Sequence, residues 1–327
     1  MIRIDDLSHA YPGRRGKPAR LALRDLTLGV AEGSFTILAG PNGSGKSTLF
    51  RILCGLCLPS SGRVSIGGHD LLAAPAAARA LMSVVFQSPA VDKQLSVAEN
   101  LALHGRLYGL SGKTLAARRD EALAWSGLES RLGDRVGTLS GGLARQVELA
   151  KCLLTYPRVL LLDEPTSGLD PAARRAFLDA LTAIQRQRKM TVLMTSHVFS
   201  EAEDADKVAI LRDGDLLAHD SPAALRRQLG RDMLVVTARD AETLAPRLGQ
   251  TLGLAVSRHG AEIRIEAIPA SGPVPLIDAI LSAFRGDIQS IAVRQPTLED
   301  VFIHITGTTA SRPRPGSVSA ASVEAAQ

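Results

Sequence analysis

Aromatic residues make up only 3% of the 327-residue chain, which leaves little to stack the bases of single-stranded nucleic acid, and no nucleic-acid partner is expected. Three cysteines exclude a disulfide scaffold. Cys54 and Cys57 form a C-x-x-C, but nothing around them reads as a redox motif, so they are expected to be small apolar residues near the end of a buried helix. No stretch approaches the roughly 18 uninterrupted apolar residues of a membrane span. The opening MIRIDDLSHAY carries acids where a secretory signal would carry an apolar stretch. The expected location is therefore the cytoplasm, and another chain would have to bring this one to a membrane. The net charge of +5 suits an anionic ligand or a membrane surface without singling out either.

What is present is an alternation of short apolar runs and amphipathic stretches. FTILAG (35–40), MSVVFQ (82–87), VLLLDE (159–164) and TVLMT (191–195) read as buried strands. Leu49, Ile52, Leu53 and Leu56 keep helical spacing, as do Phe177, Leu181 and Ile184. KVAILRDGDLLAHD (207–220) reads as a hairpin turning at Asp213-Gly214, followed by Ser221 as N-cap and Pro222 as first helical residue. Residues 88–157 are mainly helical, and residues 1–38 are strands around the basic loop GRRGKPAR (13–20). The fold class is therefore α/β with a mostly parallel sheet. Beyond residue 231 the pattern changes to a small α+β appendage, with strands at LVVTA, AVSRHG, EIRIEAI and IQSIAVRQ and helices at AETLAPRL and PLIDAILSAF. The Ser/Ala/Pro-rich end, 308–327, is expected to be disordered.

The chemistry gathers at strand ends. Gly40, Pro41, Asn42, Gly43, Ser44, Gly45, Lys46, Ser47 and Thr48 spell GPNGSGKST, which fits G-x-x-x-x-G-K-[ST] between a strand and a helix. Its glycines let the backbone approach phosphate oxygens. Lys46 can reach the β- and γ-phosphates, and the Ser47 hydroxyl can ligate Mg²⁺. At the end of VLLLD, Asp163 would hold the Mg²⁺ shell and Glu164 would polarise the attacking water. His197, just after the next strand, lies where ligands bind in an open α/β sheet and suits a γ-phosphate sensor. Gln87, also at a strand end, can ligate Mg²⁺ or the lytic water. Ser140, Gly141 and Gly142 head a helix whose apolar face is Leu143, Val147, Ala150 and Leu154. Such a tip is either an anion site or an ordinary cap, and spacing does not place it at the same nucleotide as Lys46.

Together these residues resemble the motif set of the ATP-binding-cassette (ABC) ATPases, in family order over roughly residues 1–225. Tyr11 matches the adenine-stacking aromatic and GPNGSGKST the Walker A loop. Gln87 matches the Q-loop, LSGGLARQVELA (139–150) the signature and VLLLDEP Walker B. SGLD (167–170) matches the D-loop, with Asp170 at the nucleotide interface, and His197 the H-loop. Leu143 stands where the family often has glutamine. The resemblance implies a P-loop core with an antiparallel β-subdomain and a helical subdomain at about 88–157, in a nucleotide-binding domain of 1–230. A small α+β domain (231–307) and the tail (308–327) would follow. It implies ATP and Mg²⁺, a homodimer in which Ser140, Gly141 and Gly142 complete the partner's site, and a separate transmembrane permease on the cytoplasmic side of the cell membrane. QPTLEDVFIHITG (295–307) resembles the ending of the daunorubicin-resistance and nodulation-type exporter ATPases. An importer ATPase, or an ABC ATPase acting on nucleic acid or ribosomes, is the alternative. Residues 88–110, with Val91, Leu95, Val97 and Leu101, are the expected permease-docking surface.

Overall fold

The computed structural model describes residues 1–13, 19–229, 232–265, 268 and 272–310. Most of the basic loop at 13–20, and the tail beyond residue 310, lie outside the described residues. Two compact units divide the chain, Met1–Pro222 and Ala223–Gln327.

The first unit begins β1 (Ile2–Tyr11), β2 (Arg20–Val30), β3 (Phe35–Ala39), α1 (Lys46–Leu53), β4 (Ser61–Ile66), β5 (His69–Asp70), α2 (Pro75–Ala80) and β6 (Met82–Val85). It continues through α3 (Val97–Leu107), α4 (Gly112–Leu123), α5 (Gly141–Leu153), β7 (Val159–Asp163), α6 (Pro171–Arg188), β8 (Thr191–Ser196), β9 (Lys207–Arg212) and β10 (Asp215–Asp220). An antiparallel sheet of order β2-β1-β4-β5 faces a six-stranded sheet of order β10-β9-β3-β8-β7-β6, parallel except for β10. One core joins α1 to both: Leu49, Phe50, Ile52 and Leu53 are buried with Ile2, Leu28 and Val64 of the first sheet and Leu161 and Leu193 of the second. The sequences FTILA and VLLLD are apolar without alternation because both faces of those strands are covered. The parallel register pairs Ala39 with Ser196 and Asp163 with Thr195. The loops after β3, β7 and β8 therefore leave one edge of the sheet together, the edge at which such sheets bind ligands.

Helices α3, α4 and α5 pack on one another. Helix α3 starts at a capping box of Ser96 and Glu99. Phe177, Leu181 and Ile184 are buried on α6, and β9 and β10 turn at Asp213 and Gly214, both at positive φ. Two details differ from the sequence pattern. Leu56 lies beyond the end of α1 and is 63% exposed, because the helix closes at Cys54. Val97 and Leu101 are fully buried beneath α3, so they build the core and cannot dock a partner. The exposed apolar residues of that region are Leu103, Leu107 and Tyr108.

At the division lies α7 (Pro222–Arg227). The second unit then runs β11 (Met233–Ala238), α8 (Ala241–Leu252), β12 (Val256–His259), β13 (Glu262–Ile265), α9 (Pro273–Phe284), β14 (Ile288–Arg294) and α10 (Leu298–Ala310). Its sheet order, β12-β13-β11-β14, with the βαββαβ chain order, is the ferredoxin-like arrangement. Leu234, Val236, Ile263 and Ile265 pack with Leu244, Leu248, Ile280 and Phe284 of α8 and α9. Asp300 of α10, 3% exposed, bonds Arg264 and lies 3.3 Å from Arg294, while its carboxylate caps Thr297 N–H at 2.9 Å. The helix reaches Ala310, three residues into the stretch expected to be disordered.

Candidate functional site

The loop between β3 and α1 wraps around Lys46. Gly45, at φ 110°, is the residue before the helix. A Cβ there would stand 2.7 Å from the Ala22 carbonyl oxygen, so both conformation and space require glycine. Lys46 is 4% exposed, and its ammonium donates to the carbonyls of Gly40 (2.6 Å) and Pro41 (3.1 Å). Burial lowers its pKa, opposed by the negative charges of Glu164 and Asp163. The Ser44 hydroxyl is buried in the same loop without a hydrogen-bond partner. An orphaned donor beside a buried ammonium and a fresh helix N-terminus is the chemistry of an oxyanion ligand. Ser47 is exposed at the loop rim. Thr48 Oγ1 lies 3.3 Å from the Tyr11 hydroxyl, which brings Tyr11 to the loop. A cleft of about 130 Å³ is lined by Tyr11, Asn42, Gly43, Lys46, Ser47 and Glu164. Arg20 also lines it; it is the last residue of the basic loop 13–20, and only that density of charge hinted at it.

Asp163 ends β7. Its carboxylate accepts from Thr195 Oγ1 at 2.7 Å, and burial raises its pKa despite that bond. The same threonine oxygen accepts the Glu164 N–H at 2.9 Å. Glu164 sits at φ 44°, a left-handed conformation that costs a non-glycine residue about 1–2 kcal/mol; the neighbouring bonds hold it there. One carboxylate oxygen, Oε2, lies 3.3 Å from both Gln87 Nε2 and His197 Nδ1. Gln87, Glu164 and His197 thus converge on a point beside the lysine loop.

Ser140 caps α5, its hydroxyl accepting the Leu143 N–H at 3.3 Å. Ser140 and Gly141 are exposed, and neither lines the lysine cleft. A Cβ on Gly142 would come 3.2 Å from Ala173 Cβ on α6, so glycine lets the two helix starts approach. Asp170 caps α6, accepting from the amides of Ala172 (3.0 Å) and Ala173 (2.9 Å). Within one chain, the α5 tip and the lysine loop are therefore separate surfaces.

Sequence reading passed over the clamp behind this tip. Arg145 and Glu148 of α5, 3% and 2% exposed, form a buried ion pair at 2.5 Å. Arg145 donates to the carbonyls of Phe86 and Gln87, both at 2.6 Å. Glu148 accepts the Ala90 N–H at 2.9 Å, and Lys151 donates to the Ala90 carbonyl. The signal was legible: charged residues at 145, 148 and 151 share one helix face on an otherwise buried helix.

Family models match in three places: ABC transporter over residues 23–167, an AAA domain over 143–197, and the C-terminal domain of DrrA1-3-like ATP-binding proteins over 221–306. The daunorubicin resistance ATP-binding protein DrrA3 of Streptomyces coeruleorubidus is 34% identical over 310 residues, covering 94% of this chain and 96% of that protein. The Nod factor export ATP-binding protein I of Bradyrhizobium diazoefficiens is 35% identical over 292 residues, covering 88% and 92%. A solved dimeric ATP-binding cassette in a post-hydrolysis state with ADP and Pi aligns at TM-score 0.60 and 26% identity, covering 68% of this chain and 98% of that one.

Proposed function

The chain belongs to the ATP-binding subunits of ABC transporters, and from that premise we propose that it powers export through a separate membrane permease by closing and reopening a homodimer around ATP. It binds and hydrolyses ATP. Its relatives named for drug resistance and for Nod factor export favour an exporter over an importer or a nucleic-acid factor. Among the described residues no helix is long and apolar enough to cross a membrane. In the proposed cycle the permease supplies the transmembrane path and holds this subunit at the cytoplasmic face.

The observation that carries the mechanism is the convergence of Gln87 and His197 on Glu164 beside Lys46. The triphosphate lies along the lysine loop, where its oxygens compete with the Gly40 and Pro41 carbonyls for the ammonium protons and take up the Ser44 hydroxyl. Tyr11 stacks the base. Asp163, a carboxylate whose burial raises its pKa, suits a cation, and with Ser47 and Gln87 it would hold Mg²⁺, which neutralises charge on the transferring phosphoryl group. Glu164 takes the proton of the attacking water, and His197 steadies the γ-phosphate. The tip of α5, exposed and outside the lining of its own chain's cleft, supplies Ser140 and the Gly141 and Gly142 amides to the partner's γ-phosphate, and Asp170 lies at the same seam. ATP completes both composite sites, hydrolysis unmakes them, and the permease reads the motion.

The docking surface is a groove of about 330 Å³ between β6 and α3, lined by Cys54, Leu56, Met82, Phe86, His104 and Tyr108. It borders the segment clamped by Arg145. Burial pushes the Cys54 thiol up to about 12, so it serves there as an apolar wall. The test is ATP turnover by Glu164→Gln. Loss of a general base costs about 10²–10⁴-fold, so this variant should bind ATP, hardly hydrolyse it and accumulate as a dimer. Turnover at the parent rate would remove Glu164 from its role. In the groove, Tyr108→Asp should leave the ATPase of the isolated subunit intact and abolish co-purification with the permease; unchanged co-purification would move the docking site elsewhere.

A further inference from the structure

The residues at 164 and 197 are separated by 33 positions, yet one buried carboxylate ties their surroundings together. Glu201, in the 3₁₀ turn Phe199–Ala202 after β8, is 4% exposed. Its Oε1 accepts the Thr166 hydroxyl at 2.6 Å and its Oε2 accepts the Ser196 hydroxyl at 2.6 Å. Arg174 of α6 lies 3.5 Å from Oε1 and supplies the counter-charge. Burying a carboxylate is costly unless it is paired and hydrogen-bonded, and both oxygens here are engaged by groups that flank the reacting residues.

We infer that Glu201 is a positioning residue for hydrolysis: through Thr166 and Ser196 it locks the Glu164 and His197 loops into one rigid frame. On one side, Ser196 donates to Glu201 while accepting the Val198 N–H at 2.9 Å, so the carboxylate orients the turn 196–198 with His197 at its centre. On the other, Thr166 belongs to the turn in which Ser167 N–H bonds the Glu164 carbonyl (3.1 Å) and Leu169 N–H bonds the Thr166 carbonyl (3.1 Å). Glu164 is held at φ 44° within that turn, and such a conformer persists only where neighbouring bonds over-determine it. Thr195 fastens Glu164 from one end of the strand edge and Glu201 fastens the following turn from the other. The cleft between the two loops, about 60 Å³ and lined by Glu164, Thr166, Gly168, Arg174, Ser196 and His197, keeps its shape through these bonds. Among the described residues Glu201 bonds Thr166 and Ser196 and pairs with Arg174 rather than with Glu164 or His197, so its effect on rate passes through the two hydroxyls.

The inference rests on the reading of Glu164 and His197 as the hydrolytic pair, and the test separates the two. Steady-state ATPase and nucleotide affinity are measured for Glu201→Gln, Ser196→Ala, Thr166→Val and the double variant Thr166→Val/Glu201→Gln, with Glu164→Gln in the same assay. Glu201→Gln should lower kcat at least tenfold while KM for ATP and nucleotide affinity stay within twofold. Each hydroxyl deletion should lower kcat less than Glu201→Gln does, again at unchanged KM. The double variant should be no slower than Glu201→Gln, because both changes cut one linkage. Parent kcat in Glu201→Gln, or a loss confined to affinity, overturns the inference. So does a double variant whose losses multiply. If Glu201→Gln does not fold, Ser196→Ala and Thr166→Val decide alone, and parent kcat in both overturns it. Full activity in Glu164→Gln would sink the underlying site reading, whereas an inactive Glu164→Gln beside a fully active Glu201→Gln would sink only the frame.

Discussion

Lys46 spends its ammonium on two carbonyls of its own loop, and this makes the site ready for phosphate: the cation is in place and its partners are weak acceptors beside a phosphate oxygen. Lys46→Ala should therefore lose nucleotide affinity as well as rate, and calorimetric titration with ATP showing parent affinity would contradict the assignment. Asp163 behaves in the opposite sense. Its folded-state pKa stands above the ordinary carboxylate value because of burial, so the ionised form costs stability and stability is lost as pH rises through the raised value. Asp163→Asn removes that titration while its amide oxygen still accepts from Thr195. The variant should melt higher than the parent at neutral pH without nucleotide, with the advantage shrinking as pH falls towards the ordinary carboxylate range. It should also lose most of the stabilisation that Mg²⁺ and ATP together confer. Thermal melts at three pH values check the sign. At this scale the sequence was informative, since the loop glycines, Lys46 and the acids after VLLLD announce their chemistry by type and spacing. Glu201 did not, because a buried charge is recognised only when its partners are known, and Thr166 and Arg174 lie far from it in sequence.

The Arg145–Glu148 pair ties α5, whose tip is Ser140, to the stretch 86–90. Breaking a buried pair by removing one partner typically costs about 3–5 kcal/mol, whereas replacing both by apolar residues costs far less. Arg145→Met should thus destabilise strongly, and Arg145→Met/Glu148→Leu should recover part of the loss; denaturant titration of the two distinguishes them, and equal losses would argue against the ion pair as the cause. In the second unit, Asp300 holds α10 through Arg264 and Arg294. Asp300→Ala should raise amide exchange in 298–305 while leaving α8 and α9 protected. Most strands and helices of both units followed from periodicity, including the hairpin at Asp213-Gly214, whereas β4, β5 and α2 went unread. Helix α10 did not, because its anchors lie 36 and 6 residues away in sequence. Val97 and Leu101 show the complementary failure: apolar spacing identifies a face that needs covering but says nothing of what covers it, and here the helical region covers it itself.

For the whole molecule, the decisive feature is incompleteness. The lysine cleft, with Gln87, Glu164 and His197, is assembled within one chain, but the exposed tip of α5 lines no part of it. The spacing of motifs leaves open which chain each part serves, because a two-fold relation between copies leaves no trace in the spacing of one; only the resemblance to ABC ATPases implied that Ser140, Gly141 and Gly142 serve the partner. Vanadate-dependent photocleavage of a mixed dimer addresses this directly. A tagged chain carrying Lys46→Ala is paired with an untagged parent chain and illuminated with ATP and vanadate, and the fragments of each chain are read separately. The tagged chain, unable to grip nucleotide itself, should be cut at residues 140–142 and spared at 40–48. A tagged chain left whole at 140–142, while the untagged chain is cut at its own loop, would contradict the shared site.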